Sequence, residues 1–216
     1  MTDLKQRNDD LAAALYSSIA EHVPHKNSLL EEVTQLTRHI SVRENLFLKV
    51  IELCSPPETP KQLFLTAKAY GWLGKNYYSQ LIRFAREYLL TDGWAELSHK
   101  SVLENGIYVS SHCAHNASVY SDLAKAEEGM GRLDEALFHF TEAYHLEPYS
   151  AMYAVKVADV LVKLKGREEA LNYLRQQKKN QYYKPLKYTD AAGNTRYNDE
   201  FPRLIDAHLF KLETKE

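Results

Sequence analysis

The sequence predicts an all-α protein built from helix hairpins, and three observations support this. Apolar residues recur three and four positions apart through most of the chain, which is the spacing of one buried helix face. Gly131 and Gly166 each separate two such stripes and lie 35 positions apart, so the pattern repeats. Proline-rich breakers such as SPPETP, residues 55–60, divide the stripes from one another.

Composition limits the function classes. The 216 residues are 44% hydrophobic and 26% charged, which is enough for a substantial core. A formal net charge of −2 gives no general reason to expect binding to nucleic acid or an anionic membrane. Cys54 and Cys113 are too few for a disulfide framework and fit a reducing compartment. Without a membrane-length apolar run or a signal peptide, we expect a soluble, cytoplasmic protein with no membrane partner.

Residues 1–54 predict three helices that form an N-terminal cap or a degenerate repeat. The first covers residues 3–22, with a stripe at Leu4, Leu11, Leu15 and Ile19. Asn27 is suited to cap the second helix, and Ser41 with Glu44 has the capping-box spacing that starts the third. A dimerising coiled coil is the alternative, although three unbroken heptads are absent from the sequence.

A hairpin is predicted after the breaker at residues 55–60. Thr59 is suited to the N-cap and Pro60 to the first helical position, and the chain then turns at Gly74. Gly74 and Gly131 are 57 positions apart, which exceeds a repeat of about 34 residues, so residues 91–116 are predicted to be an insertion. Asn105-Gly106 between β-branched runs indicates a small β-hairpin there, with a loop or short helix as the alternative.

The clearest hairpin runs from Ala117 to Ser150 and turns at Gly131. Ala124 and Ala136 are expected where its helices cross, because only a methyl group allows a close approach. The hairpin resembles the tetratricopeptide repeat, and the match is carried by Tyr120, Leu123, Ala124, Gly131, Ala136, Phe140, Ala143 and Pro148. Glu127 departs from the family, which usually has a tyrosine at that position.

The resemblance implies a right-handed superhelical array over residues 60–179. The neighbouring hairpins match it more weakly, at Ala67, Tyr70 and Gly74 before the central one and at Ala158, Gly166, Ala170 and Leu174 after it. Residues 180–216 are predicted to be an extended polar segment followed by a helix capped by Asn198 or Asp199. An array needs such a capping helix, because its last hairpin would otherwise expose half a core.

The resemblance also implies a peptide-binding groove lined by the first helix of each hairpin. The family's groove positions fall on Phe64, Lys68, Trp72, Ser118, Ser121, Lys125, Glu128, Met152, Val155, Asp159 and Val162. Apolar anchors beside lysines suit an extended or helical peptide. Ser121 and Val155 stand where some members carry the clamp for a terminal carboxylate. We therefore expect a non-catalytic scaffold for a protein or peptide, unless the C-terminal segment fills the groove.

Two other groups of residues are candidates for a metal site or a nucleic-acid site. His99, His112, Cys113 and His115 lack the spacing of a common zinc site, and no catalytic motif is present, so we expect no metal, cofactor or enzymatic activity. The basic, tyrosine-rich stretch at residues 163–188 is suited to single-stranded nucleic acid or an acidic surface. A peptide-sensing signalling regulator is a further alternative.

Overall fold

The computed structural model describes residues 2–21, 29–94, 101–102, 108–109, 111–189 and 194–214. Within these ranges lie ten α-helices and two short antiparallel strand pairs, which confirms the all-α prediction. The chain divides into two units, residues 1–94 and residues 95–216. No helix among the described residues combines the length and the apolar character needed to cross a membrane.

The described residues of the first unit form five α-helices. They are α1 (Thr2–Tyr16), α2 (Leu30–His39), α3 (Arg43–Leu53), α4 (Pro60–Leu73) and α5 (Tyr78–Leu89). A π-helical turn, Ser17–Glu21, extends α1, and a 3₁₀ turn, Lys75–Tyr77, joins α4 to α5. Both α1 and α3 pack against α4, so the N-terminal helices and the first hairpin share one core. The predicted division into a cap at residues 1–54 and an array at residues 60–179 stays a prediction.

Helix starts in the first unit confirm one predicted cap and correct another. The Gln62 backbone N–H donates to Thr59 Oγ1 at 3.2 Å, and the Thr59 N–H donates to Gln62 Oε1 at 3.2 Å, which is a full capping box. The Ser41 prediction is wrong, because α3 begins at Arg43 with Val42 as N-cap, and Ser41 lies one position too early. Asn27 lies outside the described residues.

The predicted stripe of α1 is partly wrong. Leu11, Leu15 and Ile19 are buried, whereas Leu4 is 65% exposed. Leu4 lies in the first turn of the helix and lines an open pocket together with Leu53 of α3 and Gln62 of α4. Periodicity alone gives the orientation of a side chain around a helix axis, but not how far the neighbouring helix extends.

The second unit stacks two hairpins and a final helix. Its helices are α6 (Ser111–Gly129), α7 (Leu133–Leu146), α8 (Ala151–Lys165), α9 (Arg167–Gln177) and α10 (Glu200–Thr214). Helix α6 packs on α7, α7 on α8, and α8 on α9, while α10 packs against both α8 and α9. The Asn198 side chain caps α10 by accepting the Glu200 backbone N–H at 2.8 Å. The predicted central hairpin, its successor and the capping helix are all present.

The turns of both hairpins depend on glycine. Gly131 has φ +78° and Gly166 has φ +95°, values that residues with a Cβ atom adopt only with strain. A Cβ added at either glycine would meet no atom within 4 Å, so the requirement comes from the backbone conformation rather than from space. This explains why the 35-residue spacing of the two glycines marks the repeat.

The strands also refine the sequence prediction. β1 (Ser101–Val102) pairs antiparallel with β2 (Tyr108–Val109), which confirms the predicted hairpin, although Asn105-Gly106 itself lies outside the described residues. The insertion ends earlier than residue 116, because α6 already begins at Ser111.

The segment before α10 is more regular than the extended polar segment that the sequence predicts. It forms a 3₁₀ turn, Gln181–Tyr183, and then a second antiparallel pair, β3 (Leu186–Thr189) with β4 (Thr195–Asn198). Threonine and tyrosine are common in both strands and favour this pairing.

The crossing of α6 and α7 supports the first stability prediction. Ala124 and Ala136 are both fully buried, as close packing of the two helices requires. We expect Ala136→Leu to lower the free energy of unfolding by about 1–3 kcal/mol, because the larger side chain forces the helices apart. Urea unfolding followed by circular dichroism measures this change. An unaltered unfolding midpoint would mean that Ala136 does not face the crossing.

Candidate functional site

The candidate site lies on the side of α6 and α8 that faces away from α7 and α9. With 3.6 residues per turn, positions 152, 155, 159 and 162 of α8 share this side, while Val157 and Leu161 point the opposite way. We call this surface the α6–α8–α10 face, made of Ser118, Asp122, Lys125, Glu128, Met152, Val155, Lys156, Asp159, Val162, Lys163, His208 and Lys211.

Ion pairs connect the three helices of this face. Lys163 Nζ of α8 lies 2.7 Å from Glu128 Oε1 of α6. His208 Nε2 of α10 lies 3.0 Å from Asp159 Oδ1 of α8. The two atoms do not have the geometry of a hydrogen bond, so this contact is mainly electrostatic. These cross-helix pairs make the face one continuous charged surface rather than three separate helix surfaces.

Two further ion pairs lie along single helices. Lys125 Nζ is 3.0 Å from Asp122 Oδ1 on α6, and Lys156 Nζ is 3.6 Å from Asp159 Oδ2 on α8. Every carboxylate of the face therefore has a cation beside it. Because the face carries one more lysine than carboxylates, even with His208 neutral, its balance is slightly positive.

Asp159 is the electrostatic centre of the face. Burial alone would raise its pKa, but the contact with His208 and the charges of Lys156 and Lys211 outweigh burial and hold that pKa below the ordinary 3.8. A lowered folded-state pKa means that the carboxylate stabilises the fold above its unfolded-state pKa. This contribution is lost as the pH falls through the lower, folded-state value.

We therefore expect Asp159→Asn to reduce the free energy of unfolding at pH 7, by about 1 kcal/mol for a half-buried pair. The difference from the wild type should shrink as the pH falls from 3.8 through the lower folded-state pKa, because the unfolded chain takes up the proton first and the folded carboxylate follows. Urea unfolding of both proteins between pH 7 and the lowest pH at which they stay folded measures it. A difference that is equal at every pH would show that charge is not its source.

The apolar part of the face is centred on α8. The Met152 side chain is 50% exposed, and Val155 and Val162 are half-buried further along the same side of the helix. On α6, Ser118 is half-buried and donates to the His115 carbonyl at 3.1 Å. The prediction for Ser121 needs correction, since this residue is buried where α6 packs against its neighbours.

The groove residues predicted in the first unit have different roles. Phe64 is 5% exposed and packs against Tyr88 and Trp94, with ring centroids 5.6 and 5.3 Å away, so it is a core residue and the groove prediction for it is wrong. Lys68 is half-buried and has interactions of its own. This hairpin matches the family more weakly than the central one, and an error of one position in such a match rotates an inferred groove position by about 100° around its helix.

Trp72 is half-exposed but already packed. Its ring stacks on Phe47 at 5.9 Å, and the Arg43 guanidinium lies 4.6 Å from its ring centroid. The indole N–H points to the Tyr16 hydroxyl oxygen at 3.4 Å. Trp72 therefore joins α4 to α1 and α3 within the first unit, which makes it a structural residue as well as a half-exposed aromatic.

Sequence reasoning missed the contribution of α10. His208 lies four residues from both Leu204 and Leu212 in the apolar stripe, so its burial could have been inferred from that spacing. Its contact with Asp159 could not, because the two residues are 49 positions apart in the sequence. Helix α10 packs beside α8 and leaves Met152 exposed, so this helix does not fill the face.

The unusual Glu127 has a local partner. Its side chain is fully buried, and Oε2 lies 2.5 Å from His139 Nδ1 of α7. The Tyr120 ring stacks on the His139 ring with centroids 5.8 Å apart. The pair thus occupies the hairpin interior where the tetratricopeptide repeat usually carries a tyrosine.

A pocket of about 590 Å³ lies in the first unit, between α1 and the connection from α3 to α4. Cys54 is on its wall, and burial, followed by the charge of Asp9, raises the pKa of its thiol to about 12. The thiol therefore stays protonated and is a poor nucleophile.

Most of the histidine and cysteine cluster considered from the sequence lies outside the part of the chain that the structure describes. His99 lies outside the described residues, and so do the side chains of His112 and Cys113. Among the residues that the structure describes, no three His, Cys, Asp or Glu side chains gather where a metal ion could be held.

Comparison with known proteins identifies the fold. No protein-family model and no curated protein matches the chain. A crystal structure of MamA, a tetratricopeptide-repeat protein, matches with a TM-score of 0.50 at 12% identity, over 98% of this chain and 91% of that one. A structure of AMB-1 MamA gives 0.48 at 16% identity, over 82% and 96%. YrrB, a TPR protein with an unusual peptide-binding site, gives 0.45 at 14% identity, over 70% and 66%. The chain has a tetratricopeptide-like helical-repeat fold.

Proposed function

We propose that this protein is a non-catalytic scaffold that binds a protein or peptide at the α6–α8–α10 face. The observation that supports this is the exposed Met152 in line with half-buried Val155 and Val162 along one side of α8, with lysines of α6, α8 and α10 on the same face. An apolar anchor in the middle and charged groups at the rim are the usual composition of a peptide-binding surface. A cytoplasmic location, expected from the cysteine content, remains part of the proposal.

The charges of the face indicate the partner's chemistry. Each lysine is near a carboxylate that an incoming acidic group can replace, as Lys125 is beside Asp122 and Lys163 beside Glu128. An apolar side chain over Met152 with acidic residues next to it would satisfy both parts of the face. We therefore expect the partner to present an apolar residue within an acidic segment.

The basic stretch at residues 163–188 gives less support to the nucleic-acid alternative. Lys163 pairs with Glu128, Arg175 with Glu168 and Glu213, and Lys178 with Asp206. Stacking on bases requires accessible rings, whereas Tyr182 is buried within the second unit. Arg175 and Lys178 already join the end of α9 to α10, and Lys163 joins α8 to α6, so we do not propose nucleic acid as the ligand.

The test is an affinity pull-down from the native lysate with wild-type bait and the double variant Lys125→Glu with Met152→Glu. We expect the double variant to bind the partner at least tenfold more weakly, which corresponds to about 1.4 kcal/mol of binding free energy. The reason is that it removes the apolar anchor and reverses one charge. Circular dichroism confirms that the bait is folded, since both side chains are exposed.

The control bait neutralises three lysines of the basic stretch, Lys178, Lys179 and Lys184. Its captured partner should equal that of the wild type. Loss of the partner with this control, and retention with the Lys125 and Met152 variant, would move the site to the basic stretch and reject the proposal.

A further inference from the structure

A cleft opens between α7 and α9 on the side of the second unit that is opposite the α6–α8–α10 face. Both helices pack on α8, and the space between them, about 260 Å³, has Val157 and Leu161 of α8 as its floor. These residues lie two positions after Val155 and Asp159, which is about 200° around a helix of 3.6 residues per turn. The cleft is therefore a second surface, independent of the proposed peptide site.

The walls of the cleft differ in chemistry. Leu137 and Thr141, one turn apart on α7, form one wall. Asn172 and Gln176, one turn apart on α9, line the other and expose their carboxamides to solvent. The remaining lining groups are Tyr173 and Glu169 of α9.

The polar wall has unused hydrogen-bonding capacity. Among the described residues, no hydrogen bond or ion pair involves the side chains of Asn172, Gln176 or Glu169. A carboxamide carries two N–H donors and one acceptor oxygen, which is the complement of a peptide group. Two carboxamides one helical turn apart, about 5.4 Å, can pair with successive backbone groups of an extended strand, while the apolar floor takes a side chain that points inward.

We propose that the α7–α9 cleft binds an extended peptide segment that inserts one apolar side chain beside a basic residue. The apolar side chain contacts Val157 and Leu161, the peptide backbone pairs with Asn172 and Gln176, and the basic residue faces Glu169. A chain bound here leaves the α6–α8–α10 face open. The second unit would then connect two partners at the same time.

The test uses eight-residue peptides with glycine and serine flanks, in which a variable residue stands between two lysines. The variable residue is leucine, isoleucine, phenylalanine or serine. Titrated into ¹⁵N-labelled protein, the apolar peptides should shift the side-chain NH₂ signals of Asn172 and Gln176 in a saturable way. The serine peptide should bind at least tenfold more weakly, since it leaves the apolar floor empty.

Two variants check the site. Asn172→Ala with Gln176→Ala should weaken the leucine peptide at least tenfold without loss of the fold, because both side chains are exposed on α9. Glu169→Gln should weaken it severalfold at low salt, whereas Glu168→Gln, next to it but outside the cleft, should leave the affinity unchanged.

Three outcomes would overturn the proposal. The first is the absence of shifts at α9 with every peptide of the panel. The second is a set of shifts that maps to the α6–α8–α10 face instead. The third is a set of α9 shifts that depends on protein concentration without peptide, which would identify a second copy of this chain as the occupant.

Discussion

Phe140→Ala should lower the free energy of unfolding by about 3–5 kcal/mol. Phe140 is fully buried in the second unit, in one core cluster with Ala124, Ala136 and Ala158. Truncation removes the burial of an aromatic ring and leaves a cavity that small alanine neighbours cannot fill by moving their own side chains. A loss of this size is a large fraction of the stability of a typical domain. Urea unfolding followed by circular dichroism gives the value.

The chain offers a matched control two residues away. Phe138 is on the same helix but 58% exposed, so Phe138→Ala makes the same chemical change with little loss of burial. We expect that control to change stability by less than about 1 kcal/mol. If both variants unfold like the wild type, then α7 does not present Phe140 to the core, and the packing of the central hairpin is different from the one described.

His139→Leu should also have a large effect, about 3–5 kcal/mol. The change removes the imidazole that lies 2.5 Å from the fully buried carboxylate of Glu127. A buried carboxylate that loses such a close partner keeps its desolvation penalty while part of the attraction that offset it is removed. The lost ring stacking between His139 and Tyr120 adds a smaller amount, about 0.5–1.5 kcal/mol.

The double variant Glu127→Leu with His139→Leu separates the charge from the packing. Replacing a buried ion pair by apolar residues of similar volume is often neutral or stabilising. We therefore expect the double variant to recover most of the loss of the single variant. A double variant as unstable as His139→Leu alone would mean that the shape of the histidine, and not the buried carboxylate, is what the hairpin interior requires.

The local sequence determined the hairpins of this protein. Glycines with positive φ, prolines and small alanines act within one or two turns of the chain, so their spacing predicted the turns at Gly131 and Gly166 and the crossing at Ala136. The capping box at Thr59 was predictable for the same reason, since both of its hydrogen bonds join residues three positions apart. The family resemblance was reliable where these signals were complete.

The tertiary structure alone decided which predicted positions are accessible. Phe64 and Trp72 came from a hairpin that matches the family more weakly than the central one. Contacts with Trp94 in one case and with Phe47 in the other assign them to packing. The contact of Asp159 with His208 joins residues from two different helices. The cleft between α7 and α9 also depends on how two helices pack on a third. Periodicity fixes the direction of a side chain around its own helix, but exposure and charge pairing depend on the neighbour that packs there.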